Sequence, residues 1–374
     1  MISKHDLERL VSRPPGDAKI LSLFLDMSVN SDNKRTFQVF LNQKRAEFQE
    51  LDSERSNHHV EPIGAAFDRI DRWIDDEFDE TNHGVALYTE IGGDWFEALQ
   101  FPVPITNRMV INERPVVGPL AQVLESYHHH GVVLLDREHV RILSVYLGTL
   151  LDEIEVRGDP FPAPHDVQAG GYSQKRYQRR KAEEMRHFFR EFAKEVEEFV
   201  RRYKADDLVI LGTDENVAKF KEFLSDRLRE MVVYTGPMGV DDSTSEVLAR
   251  IEPHLRAERE REAREVVEVL LDRVGQGYLA TAGFQSTLTA LQEGKVDTLV
   301  MARDHERNGA RCPQCGFVFA RDPGSCPYDG TATEEGIDVV EEMVRMAEEQ
   351  DSEVEFVEPG AVAEVGGVGA LLRF

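Results

Sequence analysis

Sulfur, tryptophan and long apolar runs are scarce in this chain. Only three cysteines occur in 374 residues, Cys312, Cys315 and Cys326, all within one short segment. That placement excludes a secreted disulfide framework and marks the segment as a metal site or its remnant in a reducing compartment. No stretch approaches the ~20 apolar residues that a membrane helix needs. Met1 to Leu10 carries charges where a signal peptide has its apolar core. The expectation is a cytoplasmic protein with no membrane partner. Cations are also in deficit: 44 Lys and Arg stand against 70 Asp and Glu, a formal net charge of −26. Such a polyanion repels nucleic acid unless its cations are gathered in one place.

They are gathered. From Lys175 to Arg190 there are seven basic residues against two acidic ones, so this window runs against the global sign and points to one specific anionic target. The rest of the chain reads as α/β in three segments, since single cores seldom exceed roughly 250 residues. Residues 1–130 open with the alternating strand Ile20 to Asp26, followed by a helical pattern through Phe40, Leu41, Phe48 and Leu51. Two further strands, around Gly84 to Tyr88 and Trp95 to Leu99, are separated by the hairpin signal Gly92-Gly93-Asp94. Tyr127-His128-His129-His130-Gly131 reads as a surface turn at a boundary, because three adjacent side chains cannot readily face one ion.

Residues 131–262 begin with the apolar runs Gly131 to Asp136 and His139 to Leu147, which make a hairpin. A Pro- and Gly-rich loop from Gly158 to Gly171 leads into a long helix. Its apolar positions Met185, Phe188, Phe192, Val196, Phe199 and Tyr203 step by three or four. A buried strand at Asp207 to Gly212 and a helix through Val217, Phe220 and Leu224 follow. A highly charged helical run from about Ser245 links to residues 263–374, where helix and strand alternate as in an α/β sandwich. The Cys-rich insert, 310–331, interrupts this last segment. Cys312-Pro313-Gln314-Cys315-Gly316 has the form of a zinc knuckle, and Cys326-Pro327-Tyr328-Asp329-Gly330 repeats its frame with aspartate in the final ligand position. Zinc accepts a carboxylate oxygen beside thiolates, so Cys312, Cys315, Cys326 and Asp329 are the expected ligands of a structural zinc, in a small zinc-ribbon-like insert.

Ala290-Leu291-Gln292-Glu293-Gly294-Lys295-Val296-Asp297-Thr298-Leu299-Val300 resembles a signature in the third domain of archaeal release factors and Pelota. The closing strand Gly366-Gly367-Val368-Gly369-Ala370-Leu371-Leu372-Arg373-Phe374 is similar to the one that ends that domain. Gly170-Gly171-Tyr172-Ser173-Gln174-Lys175-Arg176-Tyr177-Gln178-Arg179 resembles the Gly-Gly-Gln loop of release factors, between a hairpin and a basic helix as in that family. The resemblance covers roughly residues 131 to 374. It identifies a bacterial or archaeal member of the superfamily of class-I release factors and Pelota, and implies a three-domain architecture.

That resemblance implies a factor spanning the ribosomal aminoacyl site, its middle domain near the peptidyl-transferase centre. Its third domain would face a translational GTPase such as elongation factor Tu or the archaeal equivalent. Gly170, Gly171, Tyr172, Ser173, Lys175, Arg176, Tyr177, Arg179, Arg180 and Lys181 would then meet ribosomal or transfer RNA: the glycines by close backbone approach, the tyrosines by stacking, the cations at phosphates. The loop departs from the family where chemistry occurs. The glutamine that orients the hydrolytic water in release factors is replaced by Tyr172, and the nearest glutamine is Gln174. The first segment also lacks the Asn-Ile-Lys-Ser motif used to read stop codons. Three readings stand: a factor that occupies an empty aminoacyl site without codon reading, in hibernation or rescue; a peptidyl-tRNA or aminoacyl-tRNA hydrolase with Gln174 as a displaced catalytic residue; or an RNA-binding module with no ribosomal role.

Overall fold

The computed structural model describes residues 2–16, 18–29, 35–54, 60–157, 173–303 and 305–374, by backbone alone at 49–54, 60–62, 173–182 and 184. The chain divides into two compact units: Met1–Ser126 together with Arg261–Phe374, and Tyr127–Glu260. The first and last expected segments thus pack as one body, and the middle segment stands as another.

The first part of the larger unit holds α1 (Lys4–Val11), β1 (Ile20–Asp26), α2 (Phe37–Glu54), α3 (Val60–Asp76), β2 (Gly84–Glu90), β3 (Phe96–Phe101), β4 (Arg108–Asn112) and α4 (Gly118–Ser126). Its antiparallel sheet runs β3-β2-β1-β4. Strand alternation sends Leu21, Leu23 and Leu25 of β1 and Val85 and Leu87 of β2 toward Phe37 and Leu41 of α2 and Phe67, Ile70 and Trp73 of α3. Each such side chain contributes about 1.5–3 kcal/mol when fully buried. On β1 and β2, the buried polar groups of Ser22 and Tyr88 hold one peptide: the Ser22 hydroxyl accepts from Val116 N–H at 3.0 Å and the Tyr88 hydroxyl donates to Val116 C=O at 3.0 Å. That peptide leads directly into α4.

The smaller unit holds β5 (His130–Leu135), β6 (His139–Tyr146), β7 (Thr149–Arg157), α5 (Ser173–Tyr203), β8 (Asp207–Leu211), α6 (Asp214–Lys221), α7 (Asp226–Glu230), β9 (Val232–Gly236) and the start of α8 (Thr244–Gln276). The sheet order is β7-β6-β5-β8-β9, with β5, β8 and β9 parallel and the β5-β6-β7 meander antiparallel. Period two sorts the two faces. Val133, Leu135, Ile142 and Ile210 pack on Phe188, Phe189, Phe192, Val196 and Phe199 of α5. Val132, Leu134, Leu143, Val209 and Leu211 pack on Val247, Ile251 and Leu255 of α8. The expected surface turn at the histidines is corrected here: His130 opens β5 and is buried, because pairing with β8 continues back to Asp207.

The last part of the larger unit adds β10 (Ala280–Ala282), α9 (Phe284–Gln292), β11 (Val296–Ala302), β12 (Asn308–Arg311), β13 (Val318–Phe319), β14 (Glu334–Asp338), α10 (Val339–Glu349), β15 (Glu353–Val357) and β16 (Val368–Leu372). The main sheet is β10-β16-β11-β15. A separate three-stranded ribbon, β13-β12-β14, carries the cysteines. Val267 and Leu270 of α8 cover Val300, Ala302 and Val357 on the main sheet, and α9 and α10 pack against β16 and β11.

α10 ties the two parts of this unit together. Glu341, buried at 4% exposure, accepts the N–H groups of Val117 at 2.6 Å and Gly118 at 2.9 Å. It thereby caps α4 from 223 residues away. A Cβ on Gly118 would lie 2.9 Å from that carboxylate, so the position has no room for a side chain. Arg108 to Asp338 at 2.8 Å and Arg114 to Glu349 at 3.4 Å flank the cap. Burial raises the Glu341 pKa to about 7, against lowering by its two backbone hydrogen bonds. The folded unit therefore retains a proton that an unfolded chain releases near 4.5, and it loses stability as pH rises between those values. Glu341→Gln should flatten that slope in melting curves taken across this range. Glu341→Ala, which leaves two buried donors unpaired, should cost about 2–4 kcal/mol; a melting temperature within a degree of the parent's would refute the cap.

Candidate functional site

Three places carry the residues singled out in the sequence. The first is the start of α5. Gly170, Gly171 and Tyr172 lie outside the described residues. Ser173 begins the helix, so Gln174, Lys175, Arg176, Tyr177, Arg179, Arg180 and Lys181 are all in its opening turns. Among described side chains, packing of α5 onto the sheet begins at Met185 and continues through Phe188, Phe192, Val196 and Phe199. A helix of 31 residues anchored in this way has a fixed axis, and the window Lys175–Arg190 sits at its N-terminal end.

The second place is the root of β5 and β8. Asp207 Oδ2 lies 3.1 Å from His128 Nδ1 and 3.4 Å from His130 Nδ1, the latter out of hydrogen-bond alignment. Burial pushes the Asp207 carboxyl up, but its hydrogen bond with His128 and the nearby His130 ring outweigh it and hold the group well below its usual range. His129 points elsewhere, with Nε2 2.7 Å from the buried Ser144 hydroxyl, and burial lowers its pKa. Period two sends neighbouring histidines to opposite sides of the strand, so the triplet gathers no common point. The arrangement ties β5 to β8.

The third place is the ribbon. The two cysteine turns have the same backbone. Gly316 N–H donates to Cys312 C=O at 2.9 Å and Gly330 N–H to Cys326 C=O at 2.9 Å, each glycine at φ +76°, a left-handed conformation that favours glycine. Cys312 N–H reaches Phe317 C=O at 2.9 Å and Cys326 N–H reaches Thr331 C=O at 2.7 Å. The repetition places Cys315 and Asp329 at matching positions. The four ligand atoms of Cys312, Cys315, Cys326 and Asp329 lie within 4.8 Å of one another. Cys312 Sγ is 3.3 Å from Asp329 Oδ2, and Cys315 Sγ is 3.6 Å from Cys326 Sγ. A tetrahedron with zinc–sulfur and zinc–oxygen bonds of ordinary length has edges of about 3.5–3.8 Å, so the donor set fits that ion in type and separation. Asp329 is held ionised, its pKa lowered to about 2 chiefly by the Thr331 N–H. Side chains of α9 stand in for a missing strand beside β13: Gln292 exchanges two hydrogen bonds with Val318, at 2.8 and 3.0 Å, and Gln285 accepts from Ala320 N–H at 3.1 Å. Nothing in the local sequence signals those staples or the Glu341 cap, which join residues distant along the chain.

Comparison with known proteins finds release factors and Pelota. The chain is 26% identical over 310 residues, 73% of each sequence, to peptide chain release factor subunit 1 of Pyrococcus abyssi. It is 30% identical over 209 residues to the Methanopyrus kandleri counterpart, covering 53% of this chain and 49% of that one. Pelota of Archaeoglobus fulgidus aligns with all of this chain and 92% of its own, at 14% identity and a TM-score of 0.35. Over most of its length the chain is thus similar to class-I release factors of archaeo-eukaryotic type. Residues 115–256, all of the smaller unit but its last four residues together with the twelve before it, match the model of bacterial archaeo-eukaryotic release factor family 10. Among the described residues no helix is long and apolar enough to cross a membrane.

Proposed function

We propose that this protein binds the ribosome and occupies the aminoacyl site without reading a codon, serving hibernation or rescue. The observation that carries this reading is the segregation of charge between the two units. Residues 1–126 and 261–374 hold 44 acidic against 23 basic residues, whereas 127–260 hold 26 against 21 and include the window of seven cations and two anions at the head of α5. A surface of packed RNA phosphates attracts the cationic window and repels the strongly acidic first unit, which directs the head of α5 toward the peptidyl-transferase centre. The acidic unit then faces protein, and a translational GTPase such as elongation factor Tu or its archaeal equivalent is the partner the family resemblance supports. Cys312, Cys315, Cys326 and Asp329 would hold one zinc ion. Its contribution is to fold the ribbon, since no general base stands beside it among the described residues.

Two measurements test the reading: co-sedimentation with ribosomes, and peptide release from ribosomes loaded with peptidyl-tRNA. For a factor that only fills the site, Gln174→Ala should leave ribosome affinity within about fivefold, because one carboxamide typically contributes about 1 kcal/mol. Replacing Gly170 and Gly171 by valine should weaken binding far more, since an added side chain blocks close approach of backbone to RNA. Release of peptide by the parent protein, lost in Gln174→Ala while binding survives, would instead establish the hydrolase with a displaced glutamine.

A further inference from the structure

The ribbon exposes an aromatic face, whose Phe317 packs on the cysteine cluster and whose Tyr328 stands outside it. Tyr328, in the second turn between Cys326 and Asp329, is 66% exposed. Its ring centroid lies 4.9 Å from that of half-buried Phe317, which in turn lies 5.0 Å from buried Phe319. An exposed ring supported from behind by two others is a rigid platform, ordered at little entropic cost on binding.

Charge decides what it receives. From Glu306 to Asp338 there are six acidic residues against three basic ones. Of the three, Arg307 lies over the Phe284 ring at 4.7 Å and Arg311 pairs with Glu342 at 2.6 Å, leaving Arg321 as the exposed cation. Glu334 and Glu335 are exposed on the edge strand β14. In addition, and resting on the zinc reading above, three thiolates and one carboxylate around a dication leave the loaded centre with two negative charges beside the rings. A negative ring face on a ribbon with an excess of acidic residues favours a cation and repels phosphate.

We propose that the Tyr328 and Phe317 face of the ribbon docks an arginine- or lysine-bearing segment of a partner protein. The cationic side chain stacks on Tyr328 while Glu334 and Glu335 attract its neighbours, so this end of the acidic unit meets protein and not RNA.

The test uses the full-length, zinc-loaded protein and fluorescence anisotropy in about 150 mM salt, where distant charges are screened. The probes are a labelled peptide of six Arg-Gly repeats, its Glu-Gly counterpart and octauridylate. Tyr328→Ala should weaken the Arg-Gly peptide about five- to tenfold at unchanged zinc content. Tyr328→Phe, which keeps the ring, should bind as the parent does. Tyr278→Ala, which removes another exposed tyrosine outside the ribbon, should also be neutral. Arg-Gly affinity indifferent to Tyr328→Ala would overturn the inference, as would octauridylate binding more tightly than the peptide in a Tyr328-dependent manner. The metal reading fails separately: protein that carries no zinc removes the ion, whereas Tyr328-dependent peptide binding reports on the face itself.

Discussion

Reversing Arg176, Arg179 and Arg180 together to glutamate should lower ribosome affinity by at least about a hundredfold, enough to abolish co-sedimentation. The change alters six units of charge at the head of α5, in the one window where cations outnumber acids seven to two. Stability should hardly move. The first turn of a helix favours anions over cations by about 0.3–1 kcal/mol per charge, which concerns Arg176 alone of the three, and among the described side chains the packing of α5 on the sheet begins at Met185. The triple variant should therefore melt within a few degrees of the parent while failing to pellet with ribosomes. Binding of the parent should itself fall steeply as salt rises, the signature of phosphate contact. Undiminished pelleting of the variant would remove the basis for orienting the smaller unit toward RNA.

Much of this architecture was legible in the sequence because it rests on local periodicity. The stripe Phe188, Phe192, Val196, Phe199 of α5 steps by three or four and is buried as a stripe. β5 and β6 alternate their apolar residues between α5 and α8 as the pleat requires. The cysteine turns were legible for a different reason: a repeated frame of ligand, two spacers, ligand and glycine encodes one backbone shape, and the structure brings its four ligand atoms together.

What escaped the sequence is what residues far apart build jointly. β12, β13 and β14 are two to five residues long, too short for alternation to show, and are held by the turns and by Gln285 and Gln292 of α9. β7 has no fully buried residue, exposes Leu150, and breaks its alternation at the adjacent exposed Asp152 and Glu153, so its period-two signal is weak. The union of the first and last segments depends on Asp338, at the end of β14, and on Glu341 and Glu349 of α10, acidic residues that an amphipathic reading assigns to solvent. Their partners, Val117, Gly118, Arg108 and Arg114, lie more than 220 residues away.

If the ribbon holds zinc as proposed, removing the ion should have the largest effect on structure. Ligation of a structural zinc contributes on the order of 10–16 kcal/mol in small finger peptides, more than the short strands β12, β13 and β14 can supply alone. The purified protein should carry close to one equivalent of zinc. Cys312 is fully buried and packs with Cys326 and Phe319, so Cys312→Ser removes a ligand and the centre of that small cluster together. Amide protection from Asn308 to Asp338 should then collapse, with β5 to β9 unaffected. The carboxylate allows a subtler comparison. Asp329→Asn exchanges a charged ligand for a weak neutral one and should release zinc to a chromophoric chelator many times faster. Asp329→Cys completes a four-sulfur site and should release it more slowly than the parent, because Asp329 occupies in the second turn the position that Cys315 occupies in the first. Zinc-free protein with full protection of the ribbon would show that the staples from α9 suffice, and that the repeated turns persist without their ion.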